Sequence, residues 1–244
     1  MTFSLRPFVL AAIFFAIGVG VAGYLVGQGL TEFRMADRTV SVKGLAERDV
    51  KADLALWNLR YAATGPDVAN VQAKIDADGA VIADYLQQQG FGADDLIPQR
   101  PEVIDMLANQ YRSQGAEQNR FIIYGNLQLR TTDVDRVNAV ASKMGDLIKK
   151  GVVLDNSNGT YNTPYYLFTK LNDIKPAMIA EATKNARAAA EQFAADSGAR
   201  LGGIRTASQG YFSILPGSQT PGADESTQMM KTIRLVTGID YRLE

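Results

Sequence analysis

Residues 54–90 read LALWNLRYAATGPDVANVQAKIDADGAVIADYLQQQG, and the hydrophobic period changes partway through. From Leu54 to Tyr61 the apolar residues alternate. Ala55, Trp57, Leu59 and Tyr61 fall on one face of an extended chain, with Leu54 and Leu56 opposite. From Val68 onward the spacing is helical, through Val71, Ile75, Ile82 and Leu86, and Gly90 ends the run. Gly65-Pro66-Asp67 marks the change, with proline in a first turn where its missing N–H costs nothing. Trp57 and Tyr61 share the strand face expected to lie in the core.

The same unit recurs on both sides. Arg38 to Ala46 and Val50 to Thr64 read as two strands with a turn at Glu47-Arg48-Asp49. Leu96 to Met106 is extended but carries Pro98 and Pro101, which suits an edge or a bulge, and polar Ala108 to Asn119 reads as a hairpin tip. Phe121, Ile123, Leu127 and Leu129 then alternate with Tyr124, Asn126, Gln128 and Arg130. Thr132 suits the N-cap of a helix carrying Val134, Val137, Val140, Met144 and Leu147, closed by Gly151.

Val152–Leu154 and Tyr161–Leu171 read as a strand pair around Asp155-Asn156-Ser157-Asn158-Gly159. A helix over Asp173–Ser197 shows a stripe of Ile179, Ala182, Ala186, Ala189 and Phe193, narrow enough for close packing on a sheet. Leu201–Leu215 is a strand and Pro216–Gln228 a loop. In the final strand, Thr232–Leu243, residues Ile233, Leu235, Ile239, Tyr241 and Leu243 share a face. Strand pairs separated by single helices imply an α+β fold: antiparallel sheets with three helices packed on one face. No phosphate loop and no doubly wound alternation is present.

Ahead of this body, Phe8 to Val26 contains no charged side chain over 19 residues. As a helix the run is ~28 Å long at ~1.5 Å per residue, close to the ~30 Å hydrocarbon core of a bilayer. The expected organisation is a cytoplasmic 1–7, a transmembrane anchor at 8–30, a linker at 31–38 and a domain at 39–244, which divides into lobes at about 39–131 and 132–244. The expected location is the inner membrane, single-pass, with the domain in the periplasm. A cleaved signal with a soluble periplasmic product is the alternative, although neither Gly20-Val21-Ala22 nor Gly27-Gln28-Gly29 is a clean cleavage site.

Composition excludes much chemistry. The 244 residues contain no cysteine and no histidine. That removes disulfides, thiolate nucleophiles, lipoprotein acylation, Ser-His-Asp triads and imidazole-bound zinc or haem. Lys+Arg (25) balances Asp+Glu (26), so the basic excess of a nucleic-acid binder is missing. No cofactor and no resident metal is expected.

Val40-Ser-Val-Lys-Gly-Leu-Ala46 followed by Lys51-Ala-Asp-Leu-Ala-Leu-Trp57 resembles the opening of a SIMPL-domain protein. Ala180–Ala194, then Ser197-Gly-Ala-Arg-Leu-Gly202 and Ile204, is similar to that family's alanine helix and Leu-Gly turn. The likeness runs from Thr39 to Glu244. Ala46 stands where many relatives carry a second glycine. The resemblance implies a bacterial envelope protein that builds ring-shaped or hollow homo-oligomers linked to stress tolerance, and it brings no catalytic residues.

Three functional classes follow. For a self-assembling subunit the candidate contacts are Gly23 and Gly27, a G-x-x-x-G pair on one helix face, with Tyr111, Tyr165, Tyr166, Ile233 and Leu235. For a histidine-free enzyme the acidic candidates are Asp94-Asp95, Asp133/Asp135 and Asp224-Glu225, all at turns or helix starts where carboxylates already serve as caps. For a module binding a protein or an envelope polymer, Tyr165 and Tyr166 must point to opposite faces of a strand, which leaves one available as an anchor. The first class is the expectation and the third the alternative.

Overall fold

A computed structural model describes residues 14–28, 38–108, 119–156, 162–218 and 220–244. The chain is α+β, with two antiparallel sheets and, among the described residues, five α-helices. Its contacts form two units interleaved in sequence. The first takes the described parts of Met1–Ala46 with Pro176–Phe212 and Leu235–Glu244, and the second takes Glu47–Lys175 and Ser213–Arg234. The lobe boundary expected at 131/132 falls inside the second unit, because Val134, Val137 and Val140 enter the same core as Leu127 and Leu129.

The second unit is built on a sheet ordered β3-β4-β2-β5. It contains β2 (Leu54–Gly65), β3 (Leu96–Asp105), β4 (Phe121–Thr131) and β5 (Pro164–Leu167). β2 and β4 run antiparallel, with Trp57 opposite Leu129, Leu59 opposite Leu127 and Tyr61 opposite Gly125. The alternation seen in the sequence thus places one continuous apolar face, on which α2 (Val68–Gln88) packs. The cap of α2 is Asp67, whose carboxylate accepts from the Asn70 N–H at 3.0 Å, and Pro66 stands just outside the helix. β3 is an edge strand with a bulge between Gln99 and Glu102, as its prolines required.

Local expectations were revised at three places in this unit. The strand β1 (Thr39–Lys51) passes straight through Glu47-Arg48-Asp49, and the turn is at Ala52-Asp53. The Thr232 hydroxyl donates to Asp49 at 2.6 Å and Arg234 pairs with Glu47, so these charged residues serve as rungs of a strand. The helix after β4 is capped by Asp133 rather than Thr132 and breaks into α3 (Val134–Ala141) and α4 (Gly145–Lys149). Val152–Leu154 and β5 do not pair with each other. Leu154 bridges Tyr61 and β5 pairs with Leu54–Trp57, so each takes part of the free edge of β2. Asn162 holds that junction at φ +65°, accepting from the Arg60 N–H at 2.8 Å while its carbonyl accepts from the Trp57 indole at 2.9 Å.

Tyr166 is buried in this core and its hydroxyl has no hydrogen-bond partner among the described residues. Tyr166→Phe removes an uncompensated polar group while keeping the ring. The expected gain is about 1 kcal/mol in a urea titration. A loss of that size would mean the hydroxyl has a partner in solution.

In the first unit, β7 (Met230–Leu243) is the middle strand of the order β1-β7-β6, with β6 spanning Leu201–Pro216. These strands and α5 (Leu171–Asp196) contribute residues to both units. The sheet end is closed by reciprocal backbone bonds between Arg200 and Glu244 and by Leu243 N–H to the Arg38 carbonyl at 3.0 Å. Ala186 and Ala190 of α5 pack with Val40, Ile239 and Tyr241. The buried row of α5 is Met178, Ala182, Ala186, Ala190 and Ala194, a strict four-residue repeat. Ala189 and Phe193 of the expected stripe point outward. Gly44 explains the rotation: a Cβ there would lie 1.8 Å from the Ala182 carbonyl oxygen, so only an alanine row admits the strand.

Residues 14–28 form helix α1, whose Phe14, Phe15, Ile17 and Leu25 are exposed. No helix among the described residues is long and apolar enough to cross a membrane. The rest of the run assigned to an anchor, 8–13 and 29–30, lies outside the described residues, as do 1–7 and 31–37.

Candidate functional site

Tyr61 lies on the buried face of β2, and the chain leaves it unusual space. Its partner across the sheet is Gly125, and its hydroxyl lies against Gly79 of α2. A Cβ on Gly125 would fall 2.4 Å from the ring, and one on Gly79 would fall 2.6 Å from the hydroxyl oxygen. Two glycines on different elements therefore let the side chain pass between helix and sheet. The residue is 6 % exposed, and its hydroxyl makes no hydrogen bond among the described residues. Burial, and then the carboxylates of Asp76 and Asp78, hold its pKa above the ordinary tyrosine value, so the phenol stays neutral.

The side chain lines a groove of about 360 Å³ between α2 and the β3 edge. Ile75, Ala80, Ala83, Pro98 and Leu127 supply apolar wall, while Gln72, Gln99, Asn126 and Asp76 supply polar groups. Among the described residues Asp76 is the only charged one in the lining, and it accepts from the Gln72 amide at 2.9 Å. A larger open cleft of about 720 Å³ lies at the turns around Lys51, Asp53, Asp133 and Asp135. Its carboxylates already have structural partners. Asp53 accepts from the Thr169 N–H at 2.7 Å and hydroxyl at 3.0 Å, Asp133 caps α3, and Asp135 pairs with Lys51.

The acidic candidates are thus dispersed. Asp95 accepts from the Gly92 N–H, Asp224 caps a short turn through the Ser226 N–H, and Glu225 pairs with Lys231. No group of three or more potential ligands able to hold a metal is found among the described residues.

The assembly candidates are also spread out. Gly23 and Gly27 lie on α1 with open space where a Cβ would stand. Tyr111 lies outside the described residues. Tyr165 is half-buried and Tyr166 is buried, on opposite faces of β5. Ile233 and Leu235 are fully buried in β7, which has a neighbour on each side. This corrects their reading as contacts offered to another copy, because a middle strand has neither a free edge nor an exposed inner face.

The margins of this sheet are β1 and β6, and β6 is the one exposed on both faces. Every residue from Gly203 to Gln209 is exposed, Ile204 at 54 %, and Tyr211 stands 93 % exposed. Sequence reasoning missed this strand as a surface. The available signal was the weak alternation of GIRTASQ, which offers no apolar face to bury.

The chain matches the model of the SIMPL family, described as a protein of unknown function (DUF541), over residues 40–236. No curated protein is matched. Among solved structures, the crystal structure of an uncharacterized conserved protein from Listeria innocua aligns at 13 % identity and a TM-score of 0.22, covering 79 % of this chain and 92 % of that one. A family model spanning residues 40–236, most of its length, shows that this chain belongs to the SIMPL family.

Proposed function

We propose that the chain is a subunit of a homo-oligomeric envelope scaffold. It is tethered to the inner membrane through residues 8–30, carries its domain in the periplasm and performs no catalysis. Strand β6 carries this reading: it is a long sheet margin, exposed on both faces, with Ile204 and Tyr211 projecting from it. Such an edge presents unpaired backbone groups to which a neighbouring strand can add, and exposed aromatics anchor the pairing. The uncharged run Phe8–Val26 supports the tether, and Gly23 with Gly27 supports close approach of two such helices.

Sedimentation of the full-length protein in detergent tests this. The expected species is several times heavier than the 26.5 kDa chain, and a single monomer boundary at micromolar concentration overturns the reading. Ala207→Pro and Ser208→Pro, made separately, locate the contact. Adjacent strand residues direct their N–H groups to opposite sides, so one proline removes an outward donor. That variant is expected to dissolve the assembly without lowering the melting temperature.

A second reading, a binding module, is favoured by one observation: the unpartnered Tyr61 hydroxyl in its groove.

A further inference from the structure

We propose that the groove between α2 and the β3 edge is a binding site for small aliphatic primary ammonium compounds, held between the Tyr61 hydroxyl and the Asp76 carboxylate. The inference does not depend on self-assembly.

Three observations carry it. The Tyr61 hydroxyl is on a side chain more than nine-tenths buried, lines the groove and has no protein partner among the described residues. At the groove surface this hydroxyl is left to water, which an incoming hydrogen-bond donor can displace. The space for it is built by two glycines on two rigid elements, α2 and β4. Preformed sites of this kind bind small molecules at low ordering cost.

The chemistry of the walls selects the ligand. Among the described residues Asp76 is the one charge in the lining and no lysine or arginine joins it, so their contribution to the field is negative and disfavours anions. Lys74, the basic residue on the same stretch of α2, is engaged by Asp78. A neutral phenol oxygen accepts from an ammonium N–H, and the carboxylate accepts another. Ile75, Ala83 and Leu127 line an apolar path for a short hydrocarbon chain. The volume is at the lower end of the ~300–1,000 Å³ range of small-molecule sites, which restricts the ligand to a few carbons.

The experiment uses three probes with the same carbon chain, n-butylammonium, butyrate and 1-butanol, titrated into full-length protein and followed at the Gly79 and Gly125 amides by NMR. The expected dissociation constant for n-butylammonium is about 1 mM, the scale set by a five-atom ligand. Its shifts centre on those two glycines, and butyrate gives none. Asp76→Asn and Tyr61→Phe should each weaken binding about tenfold, the loss of one charge-assisted hydrogen bond. Ala80→Leu, a change at an exposed helix position that fills the groove, should abolish binding with the melting temperature unchanged. Equal response to butyrate or 1-butanol, shifts centred elsewhere, indifference of Asp76→Asn, or no response to n-butylammonium at about 10 mM would each overturn the assignment.

Discussion

A Gly44→Ala chain is expected to lose about 3 kcal/mol or more of stability, the upper range for overpacking a tight contact. The added methyl would stand 1.8 Å from the Ala182 carbonyl oxygen, 2.6 Å from the Ala186 nitrogen and 2.8 Å from the Ala186 Cβ. Two of the three obstacles are backbone, which cannot rotate away as a side chain can. Relief requires α5 to lift from β1, and that would open the contacts of Ala186 and Ala190 with Val40 and Ile239. Gly203→Ala is the control, since nothing lies within 4 Å of a Cβ there. It should be neutral or stabilising by up to about 1 kcal/mol through the unfolded chain. Urea titration of both variants by circular dichroism decides the matter, and equal midpoints would contradict the close approach.

The second large effect concerns Lys231. Its side chain is 0 % exposed, within a strand, and its ammonium donates to the Glu225 carbonyl at 2.7 Å and to the Glu225 carboxylate. Glu225→Ala leaves a buried cation facing one carbonyl, and the expected loss is about 3–5 kcal/mol. Lys231→Met deletes the charge and retains the length, so it should be neutral or stabilising, by up to about 4 kcal/mol. The double variant should recover most of what Glu225→Ala loses. Melting curves of the three proteins check this, and equal damage from the two single changes would show that the pair is not desolvated in solution.

Both effects lie where the sequence was hardest to read. Gly44 follows Lys43 in an ordinary strand pattern, and only the position of Ala182 and Ala186 makes it indispensable. Lys231 lies at the start of β7, ahead of its alternating apolar residues, and would be assigned to solvent, yet the turn bearing Glu225 folds over it. The β2 face was legible in advance because Ala55, Trp57, Leu59 and Tyr61 alternate without interruption. The β3 edge was legible because Pro98 and Pro101 cannot donate to a ladder on both sides. The β1–β2 turn was misplaced for a related reason. Glu47-Arg48-Asp49 is turn-like in composition, but cross-strand partners at Arg234 and Thr232 make it strand. The groove was invisible: Tyr61 was read as core, and its residual space depends on glycines brought from α2 and β4.

The sequence by itself determined the α+β class of the fold and which face of β2 and β4 is buried, while the one helix expected after β4 became two and the expected Val152–Leu154 strand became a single bridge. Class and buried face follow from period and from local turn chemistry, which act over a few residues. Tertiary structure alone decided that β7 is central and β6 marginal, that a lysine can be buried, and that a tyrosine hydroxyl ends in a groove. Strand neighbours and cavities arise between segments distant along the chain, and no local pattern records which of them meet.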